Sequence, residues 1–136
     1  MAYGFRFSHR LSGGAPTIQS AFFTSTETIT KGDMVSVATG KVAPSVTNDA
    51  TLGGVALETV AGTASTSSLR FISDEDAVYA VDDANARLNG ASLNITGTTG
   101  AFTVTTSTNA DVQVVGDSSA TEPTLVKITE GEHFRN

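Results

Sequence analysis

A chain of 136 residues without cysteine is long enough for one domain that buries roughly two thirds of its unfolded surface, and it has no disulfide framework, thiolate metal site or thiol nucleophile. Its net charge of −6 excludes the basic footprint on which nucleic-acid binding rests. No stretch approaches the ~18 consecutive apolar residues of a membrane span, so neither nucleic acid nor membrane is an expected partner.

Residues 1–16 read as an extended N-terminal arm. Tyr3, Phe5 and Phe7 alternate, which places them on one side of an extended segment, and Arg6, His9 and Arg10 stand among them without an acidic residue. The arm ends at Ser12-Gly13-Gly14-Ala15-Pro16, where the glycines loosen the backbone and the proline favours extended geometry before it. Such an arm can add to the sheet edge of a partner, its arginines pairing acidic groups there, or pack on its own domain or a neighbouring copy. Tyr3, Phe5, Arg6, Phe7, His9 and Arg10 are therefore the candidate partner-binding residues, and removing residues 1–14 is expected to weaken partner binding while leaving the domain folded. The segment also lacks the apolar core of a signal peptide, so synthesis in a cytoplasm is expected.

Residues 17–136 read as a β-rich domain. The stretch 17–24 is a strand, and Thr30-Lys31-Gly32-Asp33 is a turn. In the strand that follows, Met34 and Ser36 face one way and Val35 and Val37 the other. Ala38-Thr39-Gly40 turns into a strand at 41–43. The strand at 52–58 carries Gly53 and Gly54, which signal a bulge or a close backbone approach. Further strands are expected at 69–72, 78–81, 91–95, 102–105, 112–115 and 124–128, with Gly97-Thr98-Thr99-Gly100 as a hairpin connection. The stretches 44–51, 59–68 and 116–123 read as surface connections. Single helical turns are possible at 73–77, where Ser73 would cap, and at 82–88. The expected fold is all-β, a single small β-sandwich or barrel carrying the arm.

Reactive chemistry is sparsely represented. The only histidines, His9 and His133, lie near opposite ends, which is a poor arrangement for a Ser-His nucleophile site or a zinc site. The best metal candidate is Asp74-Glu75-Asp76 with Asp82-Asp83, but an apparent strand separates the two groups, and a solvated acidic loop at each end of that strand is the plainer reading. The expectation is a protein that is not an enzyme and holds no cofactor or metal.

Three stretches resemble the small decoration proteins of tailed-phage capsids, also called cement or head-stabilising proteins. They are Glu27-Thr28-Ile29-Thr30-Lys31-Gly32-Asp33-Met34-Val35, Leu52-Gly53-Gly54-Val55-Ala56-Leu57-Glu58 and Asp76-Ala77-Val78-Tyr79-Ala80-Val81-Asp82-Asp83-Ala84. The resemblance covers the layout of residues 17–130. It implies a β-rich structural virion protein on the outer capsid surface that bridges major capsid protein subunits as a homo-oligomer, a trimer or a dimer, with no catalytic residues. The alternatives are a tail-tube, fibre or head-completion component, which shares β content and self-association, and a carbohydrate-binding β-sandwich module, which the absence of tryptophan disfavours.

Overall fold

The computed structural model describes residues 4–45, 52–63, 66–74, 76–106 and 111–129. The fold is all-β, as its alternating patterns predict, with thirteen strands among the described residues. They are β1 (Phe5–Arg10), β2 (Ile18–Phe23), β3 (Glu27–Ile29), β4 (Met34–Ala38), β5 (Lys41–Pro44), β6 (Leu52–Ala56), β7 (Val60–Gly62), β8 (Ser68–Ile72), β9 (Ala77–Val81), β10 (Ser92–Thr96), β11 (Thr103–Thr106), β12 (Val112–Val114) and β13 (Thr124–Ile128).

Strands β2, β5, β4, β6 and β8 form a closed barrel, and β1, β9, β13, β12, β10 and β11 form a six-stranded sheet in that order. The sheet is antiparallel throughout. In the barrel only the β2–β5 pair is parallel. Short strands β3 and β7 pair with each other.

Two cores share a wall. Val35 and Val37 of β4, Ala56 of β6 and Leu69 and Phe71 of β8 fill the barrel with Phe23, Ile29 and Val42. Met34, Leu52, Val55 and Ile72, on the same strands, join Phe5, Tyr79, Phe102 and Val126 in the core of the sheet. Period-two alternation thus serves both sides at once. All five residues of β6 are consequently buried.

The glycines of β6 do what their position in a strand predicts. On β4, Val35 pairs Gly54 and Ser36 pairs Leu52, so Gly53 is the extra residue of a bulge. Gly54 adopts φ +148° against the carbonyl of Ile72. At the β4–β5 hairpin, Thr39 and Gly40 both take positive φ, the geometry that a two-residue connection demands.

Several expectations need correction. Neither 73–77 nor 82–88 is helical among the described residues. Asp74 and Asp83 instead spend their carboxylates on neighbouring backbone and arginine groups, which competes with a helical turn. Part of 59–68 is strand β7, and β3 lies where no strand is evident in the sequence. Three-residue strands are too short for alternation to mark them. The connection at 46–51, Tyr3 and the terminal segment with His133 lie outside the described residues.

Candidate functional site

The arm is extended, as its alternation predicts, but Phe5–Arg10 is the edge strand of the chain's own sheet. It pairs antiparallel with β9, Phe5 opposite Val81 and Arg10 opposite Ala77, with a register shift between Phe7 and His9. Phe5 is 2% exposed and belongs to the core, and Phe7 packs partly against it. The arginines meet acidic groups of the same chain. Arg6 pairs with Asp82 at 3.0 Å, while Arg10 pairs with Asp76 at 3.0 Å and Asp74 at 3.6 Å. His9 is exposed and its Nδ1 lies 2.9 Å from the Ser8 hydroxyl.

This pairing has a sequence signature. A strand with arginine near each end meets a strand with aspartate beyond each end, so pairing the two strands neutralises both arginines. Removing residues 1–14 therefore takes a strand and a core phenylalanine from the sheet. The truncated protein is expected to lose about 3–5 kcal/mol or more, the usual cost of deleting a buried phenylalanine side chain, measured by urea denaturation.

The described aspartates flanking β9 are occupied, while Glu75 lies outside the described residues. Asp74 accepts the Thr17 backbone N–H at 2.6 Å. Asp76 accepts the Ser12 backbone N–H at 3.0 Å as well as the Ser12 hydroxyl. Asp83 pairs with Arg87 at 2.6 Å, both side chains nearly buried, and the backbone of Arg87 bridges Ser118. Among the described residues no group of three or more potential ligands is placed to hold a metal.

The Ser12 hydroxyl, and then Arg10, hold the Asp76 carboxyl down to about 2, against an ordinary 3.8. Because the folded value lies below the unfolded one, the clamp's contribution is complete above pH ~4 and is lost as pH falls through ~2. Amide exchange at β1 is expected to accelerate across that window more than exchange in the barrel. Uniform acceleration would contradict this. In the core of the sheet, burial and then Asp74 push the Tyr79 phenol upward, keeping it protonated.

A second junction, not legible as one in the sequence, forms at Thr30-Lys31-Gly32-Asp33. Asp33 is 1% exposed. Its carboxylate accepts the Thr30 N–H at 2.8 Å, the Gly100 N–H at 2.9 Å and the Thr99 hydroxyl. The carbonyl of Gly32 accepts the Phe5 N–H at 2.8 Å, and the N–H of Gly32 donates to the Ala56 carbonyl at 3.0 Å. One turn therefore ties the barrel, the N-terminal strand and the β10–β11 hairpin together.

All four arginines of the described residues, Arg6, Arg10, Arg70 and Arg87, are ion-paired. What faces outward is poor in charge and includes large apolar groups. Ile18 and Phe22 are each 52% exposed on the outer face of β2, two turns of the pleat apart, with Leu11 and Leu88 exposed elsewhere. Among the described residues no helix is long and apolar enough to cross a membrane. No protein-family model matches the chain, and no curated protein matches it.

Proposed function

We propose that the protein is a structural component that binds the outside of a tailed-phage capsid and stabilises it by bridging major capsid protein subunits, working as a small homo-oligomer. The observation that carries this reading is the division of labour among its side chains. The arginines are spent on internal clamps between strands, and two fused cores stiffen the frame. The exterior keeps Thr and Ser together with exposed Ile18 and Phe22. Interface cores are depleted of charge and enriched in aromatic residues, and such a surface suits repeated contacts on a lattice.

The three stretches that resemble decoration proteins fall at the hub of this frame. They are the Asp33 turn, the wall strand β6, and β9 with its flanking aspartates. A rigid brace that works through contact area needs these parts, and a reactive pocket does not enter into its action.

The test is co-sedimentation of the purified protein with capsid shells stripped of accessory proteins. Saturable binding and raised resistance of the shells to heat are the expected results. Long filaments formed by the protein alone would instead favour a tube or fibre component, because only a non-closing contact propagates.

A further inference from the structure

We propose that the cleft beside the free edge of β1 receives an extended, acidic segment of another protein, which adds to β1 as a short extra strand. The inference rests on the reading of this protein as a contact-forming structural component, and it names the surface and the chemistry of what binds there.

The backbone defines the shape of the occupant. Among the described residues, strand β1 pairs with β9 on one side only. The Phe5 N–H donates to Gly32 rather than to β9, so it points to the free side. By the two-residue period of a strand, the N–H and carbonyl of Phe7 point the same way. Beside them opens a cleft of about 370 Å³ lined by Phe5, Phe7, Val55, Leu57, Ile72 and Lys31 among others. An extended backbone entering it continues the hydrogen bonding that Gly32 begins, and an apolar side chain from it reaches the Val55, Leu57 and Ile72 floor. This is strand addition to an exposed edge. The register shift after Phe7 breaks the edge there, which keeps the added strand short and guards against unlimited edge pairing.

The charge defines the occupant's sequence. Arg6 lines the same cleft but is engaged by Asp82. Lys31 lines it too, is exposed, and enters no ion pair among the described residues. A carboxylate on the incoming segment supplies that partner.

The probe is a short synthetic peptide alternating valine and threonine with one central aspartate, titrated into the full-length protein and followed by NMR. Shifts confined to the amides around Phe7, Lys31 and Leu57 are expected. Lys31→Glu, a surface change that leaves the fold intact, should weaken binding about tenfold or more, as expected for loss of a charged hydrogen bond. Backbone N-methylation of the peptide should also abolish binding. Binding indifferent to both changes would overturn the proposal, and so would no binding at all. Self-association of the protein that Lys31→Glu removes would also overturn it, assigning the cleft to a second copy. Shell binding that survives Lys31→Glu and Leu57→Asp, with no peptide binding, would remove this surface and leave the decoration reading standing. Peptide binding without shell binding would do the reverse.

Discussion

Gly54→Ala is expected to prevent folding, or to cost well over about 4 kcal/mol, a range reached only by a few severe mechanisms. A β-carbon at Gly54 would lie 1.6 Å from the carbonyl oxygen of Ile72 and 2.8 Å from its carbonyl carbon. Neither atom is the end of a flexible side chain. Relief requires β6 and β8 to separate, and these strands pair through Val55–Ile72 and Ala56–Phe71 in the wall between the two cores. Opening that wall disturbs both cores, so no local adjustment absorbs the change. The strain of a positive φ (+148°) adds to the clash, since residues with a side chain seldom adopt such values. Gly14→Ala is the control. Gly14 also has positive φ, but no atom lies within 4 Å of its would-be β-carbon, so only the backbone cost of about 1 kcal/mol remains. Urea denaturation of the two variants separates packing from conformation. A Gly54→Ala protein as stable as Gly14→Ala would show that β6 and β8 are not in contact as described.

The second large effect is expected at Asp33. Replacement by alanine leaves the Thr30 and Gly100 N–H groups without their acceptor in a site that is 1% exposed. At about 1–3 kcal/mol for each of the two buried donors left unsatisfied, the loss is about 2–6 kcal/mol. Asparagine should fall between wild type and alanine. The two N–H groups bind different carboxylate oxygens, Thr30 to Oδ2 and Gly100 to Oδ1, and an amide offers only one acceptor oxygen. Thermal denaturation measures the loss. Amide exchange at Gly97–Gly100 locates it, because that loop is held to the turn through Thr99 and Gly100. Equal stability of the asparagine variant and wild type would contradict the two-oxygen arrangement.

These two positions also mark how far the sequence can be read. The glycines of β6 signal a bulge or a close approach, and both occur, because a glycine pair inside a strand has few other uses. The strand at 124–128 is found with the same bounds, since alternation against a single core leaves a clean pattern. The opposite faces of Met34 and Val35 are also legible, though not that each face has its own core. Asp33 reads only as part of a turn. Its partner Gly100 lies 67 residues away, and nothing local marks a carboxylate that joins two loops. Strands β3 and β7 are hidden by their brevity.

The N-terminal strand is the instructive intermediate case. Its extended form and aromatic alternation are plain in the sequence, which leaves open whether it serves a partner or its own domain. The deciding signal was present in the charges. Arg6 and Arg10, towards the two ends of β1, meet Asp82 and Asp76, just beyond the two ends of β9. A pattern of this kind emerges only when two segments are compared, whereas periodicity is read within one. The same comparison accounts for the acidic groups around β9, which serve as anchors for arginine.

Capsid binding is tested most directly by an electron cryomicroscopy reconstruction of stripped capsid shells after incubation with the purified protein. Density outside the shell that fits the fused barrel and sheet, seated across the junctions between major capsid protein subunits, is the expected result. Shells that remain bare at saturating protein would contradict it, as would density confined to the tail or to the interior.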